Sequence, residues 1–247
     1  MESKLQELKK QGYNPLTNDP DLVLSVETLK LIGATNIWEL GCGSGDWSIC
    51  VDKMVQPGLS QYHLVDNFEF SNLHPDIVDY LGYYWPKDEK DIKKHLSEAE
   101  LDYVFYNIDI ANLPDPDDLI DCVRLDTAYE TSETIQWCVD NLSENGIIQC
   151  ADIKINKSFQ KTMLMTEQVL IGSIEPVWLG EGEGVWCRKG KGHHIREKLF
   201  NNTDLQEYFG ELKWNEFTLM DKKYEYLRAR LKQTRYAKVR KELTQKL

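Results

Sequence analysis

Ile37-Trp-Glu-Leu-Gly-Cys-Gly-Ser-Gly-Asp46 decides how the chain is read. A short apolar run ends near an acid, and glycines then stand at every second position, Gly41, Gly43 and Gly45, ahead of what reads as a helix start. A strand that gives way to a glycine turn and a helix N-terminus exposes backbone N–H groups on which a ligand can lie.

On the N-terminal side, residues 1–11 read as a short polar helix that Gly12-Tyr-Asn-Pro15 breaks. Asp19 and Pro20 supply an N-cap and a first-turn proline for a second helix, and Gly33 a C-cap. On the C-terminal side, strands are expected at 61–66, 101–109, 120–126 and 147–152, and helices at 47–55, 130–142 and 159–170, with a brief helix from Pro114 to Asp118. Two further strands, 176–179 and 184–187, flank a glycine-rich turn and suggest a terminal hairpin. Strands alternating with helices predict a doubly wound, Rossmann-like α/β fold: a mostly parallel seven-stranded sheet with a terminal antiparallel hairpin and helical extensions at both ends. The expected division is 1–33 for the N-terminal helices, 34–190 for the core and 191–247 for a C-terminal extension.

The 247-residue chain carries a net charge of −12. Residues 221–247 hold ten Lys/Arg against three Asp/Glu, so the acid is concentrated in the rest. An acidic body repels phosphate backbones, which argues against a general nucleic-acid binder. No apolar run approaches the roughly 18 residues that span a bilayer, and the N-terminus lacks a signal-peptide core, so a cytoplasmic location without membrane attachment is the expectation. Cys42, Cys50, Cys122, Cys138, Cys150 and Cys187 form no C-x-x-C pair, which points to buried reduced thiols.

In such sheets ligands bind at the carboxyl ends of the strands. The expected strand ends here carry Glu39, Asp66, Asp109, Asp126 and Asp152, on the edge that also carries the glycine turn. A phosphate-cradling G-x-x-x-x-G-K-[S/T] loop is absent, and the third glycine comes four residues after the first, not five as in the dinucleotide fingerprint. Glu39 would repel a pyrophosphate and accept from an ammonium. That favours a cationic nucleoside without phosphate, with Asp66 placed to accept from two ribose hydroxyls and Asp109 to face an adenine amino group.

Glu39-Leu-Gly-Cys-Gly-Ser-Gly-Asp46 resembles motif I of the class I S-adenosylmethionine-dependent methyltransferases. The resemblance spans roughly residues 20–190. It implies that Glu39, Gly41, Cys42, Gly43 and Gly45 line the amino-acid end of S-adenosylmethionine. Asp66 and Asn67 would then hold the ribose, Asp109 and Ile110 would sit near the adenine, and Asp126 would close the pocket. A second, partial resemblance joins Arg124-Leu-Asp-Thr-Ala-Tyr-Glu130 and Ala151-Asp152 to the macrocin O-methyltransferase type. It implies methylation of a small-molecule or sugar hydroxyl, catalysis by Asp126 and Asp152, and Mg2+ on the same two acids. Ala128 and Ala151 stand where that type carries further acids.

His193 and His194 are reserve candidates for a base, and Tyr80, Tyr83, Tyr84 and Trp85 for an acceptor lid. Two alternatives stay open: a catalytically silent cofactor-binding protein, and an RNA methyltransferase recruited by the basic tail. The amino-methylating [D/N]-P-P-[Y/F/W] motif and the Pro-Cys nucleophile of DNA enzymes are both absent. The acceptor and the oligomeric state are not readable from sequence.

Overall fold

The computed structural model describes residues 2–15, 17–58, 60–67, 86, 88–127, 131–151, 159–180 and 182–218. Asp152, Ala128 to Glu130, the aromatic cluster at 80–85 and the basic tail at 221–247 lie outside the described residues.

Five strands rich in apolar residues build the parallel part of the sheet: β1 (Asn36–Leu40), β2 (Gln61–Asp66), β3 (Tyr103–Asn107), β4 (Ile120–Leu125) and β5 (Leu142–Cys150). β6 (Ile174–Leu179) and β7 (Gly184–Arg188) follow as the hairpin. The order is β3-β2-β1-β4-β5-β7-β6, with β1 to β5 parallel and β7 antiparallel to both of its neighbours. The chain winds outward from β1 to β3, then returns across β1 to start β4. That reversal opens a crevice at the carboxyl ends of β1 and β4, the usual ligand position in open α/β sheets.

Helices α1 (Glu2–Lys10), α2 (Asp19–Ile32), α3 (Asp46–Val55), α4 (Glu89–Glu98), α5 (Ser132–Asn141), α6 (Phe159–Ile171), α7 (Gly192–Phe200) and α8 (Thr203–Thr218) complete the described chain. Alternation along the strands assigns the layers. Glu39 reaches Ser48 of α3, whereas its neighbour Trp38 packs on Trp137 of α5. So α3 covers one face and α5 the other. Apolar residues such as Leu22, Leu40, Tyr62, Val123 and Ile148 are buried between the layers. All six cysteines are buried and none is in a disulfide, as expected.

Several boundaries differ from the sequence expectation. The cap of α2 is Asn18, whose side chain accepts from Asp21 N, one residue before the expected Asp19; Gly33 closes the helix in the left-handed conformation, φ 65°, as expected. Residues 114–118 form no helix. Pro114 and Pro116 each disfavour helical geometry in the residue before them. The short turn falls earlier, as a 3-10 helix at Ile110–Asn112 that Asp109 caps by accepting from Ala111 N. α5 ends at Asn141 and runs straight into β5, so Asn145 and Gly146 lie within the strand and not at a helix end. The pairing jumps from Ile120↔Leu142 to Cys122↔Ile147, a bulge that the extra residues of β5 fill. A Cβ on Gly146 would lie 2.7 Å from the Ile120 carbonyl oxygen. Gly146→Ala therefore lowers folding stability by about 1–3 kcal/mol in urea unfolding. An unchanged midpoint would show that the bulge has room to move.

Candidate functional site

The cleft at the β1–β4 crevice has about 420 Å³ of empty space, counted to its open mouth. It is lined by Asn14 and Pro15 on one side, by Gly41 to Ser44, Asp46 and Trp47 along the glycine turn and start of α3, and by Glu39, Arg124 and Asp126 from the two strands.

The turn is built for close approach. Gly41, Gly43 and Gly45 all have positive φ (82°, 52° and 74°), which favours glycine at each. A Cβ on Gly41 would lie 2.5 Å from the Asp126 carbonyl oxygen, so the first glycine lets β1 and β4 leave the sheet side by side. A Cβ on Gly45 would strike Leu96 of α4 at 2.6 Å. Asp66, at the end of β2, accepts from Gly43 N at 2.9 Å and holds the turn in place.

Beneath the turn, sheet register lines up polar side chains. Glu39 is the partner of Arg124 across β1–β4, and Arg124 of Gln149 across β4–β5, so the three point to one face. Arg124 is 1% exposed, and its Nη1 lies 2.9 Å from Glu39 Oε1 and 2.5 Å from Asp126 Oδ2. Nη2 lies 3.1 Å from Glu183 Oε1 and 3.2 Å from Thr17 Oγ1. Its guanidinium stands 4.8 Å from the Trp47 ring centroid, a cation–π contact. Ser48 donates to Glu39 Oε2 at 2.6 Å, and Gln149 donates to Glu183 Oε2. Glu183 is delivered by the β6–β7 turn, which Asp21 of α2 pins by accepting from Gly182 N and Glu183 N.

One guanidinium cannot neutralise three carboxylates. Burial, the dominant effect, pushes Glu39 up to about 7 despite Arg124 and Ser48, and also raises Glu183. Burial likewise raises the Cys42 thiol well above its usual range, which leaves it inert. Asp126 is the exposed member of the set, its side chain 25% accessible at the mouth.

The structure thus gathers Glu39, Gly41, Cys42, Gly43 and Asp126 into one lining and ties Asp66 to it through Gly43. Gly45 starts α3 just behind. Asn67 is exposed after β2, and Asp109 is exposed two residues beyond the end of β3, with Ile110 half-buried beside it. Asp152, Tyr129 and Glu130 lie outside the described residues. His193 and His194 are exposed on α7. β7 runs against the parallel strands, so the helix after it begins at the opposite edge of the sheet, away from the cleft. Sequence reading gave Arg124 no role beyond the motif that it opens, and passed over Glu183 and Thr17. An arginine within the apolar strand Ile120–Leu125 is the signal for the first, since a buried charge demands partners; no local signal marks the other two. On the facing side, Asp46 accepts from Asn14 N at 2.9 Å and pairs with His95 at 2.7 Å, which fixes the segment before α2 over the cleft.

No protein-family model matches the chain, and no curated protein sequence does. Solved structures do. The S-adenosylhomocysteine-bound methyltransferase PaMTH1 of Podospora anserina superposes with a TM-score of 0.51 over 76% of this chain and 86% of its own, at 11% identity. The O-methyltransferase TomG of Streptomyces achromogenes, involved in tomaymycin synthesis and solved with S-adenosylmethionine, gives 0.52 over 70% and 82% at 13% identity. The calicheamicin methyltransferase CalS11 gives 0.52 over 76% and 92% at 16% identity. At these identities the likeness is one of fold. The architecture is the class I S-adenosylmethionine-dependent methyltransferase fold, with its seven-stranded sheet closed by a hairpin. Among the described residues no helix is long and apolar enough to cross a membrane.

Arg124→Met strands three carboxylates around a neutral side chain and is expected to cost about 3–5 kcal/mol of folding stability. Glu39 supplies a pH test with a defined sign. Between pH 4.5 and 7 the folded chain keeps on Glu39 a proton that the unfolded chain has given up. Its contribution to stability therefore falls as pH rises through that window. Glu39→Gln lacks this slope, so urea unfolding shows the variant gaining on wild type by about 2–3 kcal/mol between the two ends of the window. Parallel pH profiles would show that Glu39 is ionised throughout.

Proposed function

We propose that this chain is an S-adenosylmethionine-dependent methyltransferase acting on a hydroxyl of a small-molecule acceptor, sugars included. The acid-rich cleft under the glycine turn carries the reading: bare backbone at Gly41 to Gly43, with Glu39 and Asp126 set around Arg124. A surplus of carboxylate in a partly closed cleft attracts a cation and repels phosphate, which suits a sulfonium nucleoside with an amino-acid end and opposes a dinucleotide. The fold shared with PaMTH1 and TomG, which were solved with S-adenosylhomocysteine and S-adenosylmethionine, agrees with that choice.

When bound, S-adenosylmethionine would supply a methyl carbon activated by its sulfonium, whose transfer to the acceptor oxygen would leave the carbon–sulfur electron pair on sulfur and release the hydroxyl proton. The protein mainly has to orient. Glu39, fixed by Ser48 and Arg124, offers the amino-acid end an acceptor whose position is set before binding. Asp66 and Asn67 hold the ribose end, and Asp109 and Ile110 the adenine end. Asp126 stands at the solvent-facing mouth with Oδ2 held by Arg124, where it can take the departing proton or orient the acceptor. By resemblance Asp152 is the second candidate for that role.

Titration calorimetry with S-adenosylhomocysteine, using the full chain, tests this. One equivalent binds, and near pH 7 a proton is released, because an ammonium beside Glu39 favours its ionised form. Proton release appears as a binding heat that changes with the buffer's ionisation enthalpy, and Glu39→Gln removes that dependence. Absence of binding by wild type would sink the methyltransferase reading.

A further inference from the structure

Arg124 is not the sole cation buried at the carboxyl edge. Lys161, the third residue of α6, is 1% exposed and ranks among the largest fully buried side chains. Its ammonium lies 3.2 Å from the carbonyl oxygen of Leu125, the last residue of β4, and 3.1 Å from that of Ala151, the residue after β5. Ala151 N also donates to Leu125 O at 2.9 Å. Amide and ammonium thus converge on one carbonyl and tie the two strands together where they leave the sheet.

The next residues in the chain are Asp126 and Asp152, the two acids to which a divalent ion is assigned by resemblance. Among the described residues the donor set there does not fit such an ion. Main-chain carbonyls and carboxylates are the ligands that a hard cation takes, but the two carbonyls already hold an ammonium. The Asp126 carboxylate is drawn toward Arg124. Among the described residues no group of three or more His, Cys, Asp or Glu could hold a metal ion. Placing Mg2+ between the strand ends would bring it against Lys161, and like charges at that range repel strongly in a dry interior.

We propose that Lys161 takes the place of a divalent ion at the acceptor edge: its ammonium, seated on the Leu125 and Ala151 carbonyls, is the fixed positive charge that positions the ends of β4 and β5, and no Mg2+ binds there. The term "acceptor edge" rests on the methyltransferase reading, whereas the occupancy of the cation position by Lys161 does not. Lys161 is a positioning residue that acts through the backbone of its neighbours. A side chain that merely filled space would be exchangeable for methionine, whereas a resident cation leaves, on removal, a cradle of oxygen atoms that attracts another.

Electron paramagnetic resonance of Mn2+, titrated into the full chain with S-adenosylhomocysteine present, reads this directly, because bound Mn2+ loses the sharp signal of the free ion. Wild type and Lys161→Arg leave the free signal unchanged. Lys161→Met removes one equivalent of it, and the further change Asp126→Asn restores it. One equivalent of Mn2+ bound by wild type and lost in Asp126→Asn would overturn the proposal, as would equal Mn2+ binding by Lys161→Met and Lys161→Arg. If Lys161→Met fails to fold, the wild-type titration alone decides. S-adenosylhomocysteine binding is scored separately by calorimetry, so its failure removes the methyltransferase reading and leaves the cation result standing.

Discussion

Arg124 is the charge around which this edge of the protein is arranged. Removing a guanidinium from water costs several kcal/mol even after relaxation, and only close, hydrogen-bonded partners offset it. Here the partners come from four parts of the chain: Glu39 on β1, Asp126 after β4, Glu183 from the hairpin turn and Thr17 from the segment before α2. Each is held by something further. Ser48 fixes Glu39, Asp21 fixes the turn that carries Glu183, and Asn14, near Thr17, is anchored on Asp46. The cleft is the space left above this network, and its negative character follows from having more carboxylates than one arginine can balance.

A second constraint is the direction of the strands. Parallel pairing brings the carboxyl ends of β1 and β4 to one edge, so Glu39 and Asp126 meet at Arg124 without any local signal between them. The antiparallel β7 does the reverse with the histidines after it. The same rule places Lys161. α6 follows β5, and its first turn falls back onto the strand ends, where an amine at its third position reaches two carbonyls.

How much could be read beforehand follows from this distinction between local and non-local causes. The glycine turn, the alternation of strand and helix, the hairpin around Gly180 to Gly184 and the C-cap at Gly33 are written in adjacent residues, and the fold class follows from them. Boundaries failed where a local signal was overruled. Asn145-Gly146 has the composition of a helix stop, yet it sits in a bulge because β5 must continue beside β4. Within the site, Glu39 and Asp126 were readable as acids at strand ends. Their shared partner was not, because the Glu39–Arg124–Gln149 row exists only once register is set. Glu183 read only as part of the glycine-rich hairpin turn, and the packing of that turn on Asp21 turns it inward.

The bond between Thr17 and Glu183 joins residues 166 positions apart. Together with Arg124, that pair ties the segment before α2 to the hairpin turn beneath the cleft. The cleft lining itself runs from Asn14 to Asp126, so the hairpin acts on it only through Arg124. Contacts this distant in sequence are slow to make, since loop closure must precede any gain from them. The hairpin turn is thus a non-local support of the site, joined both to Arg124 and to the segment before α2.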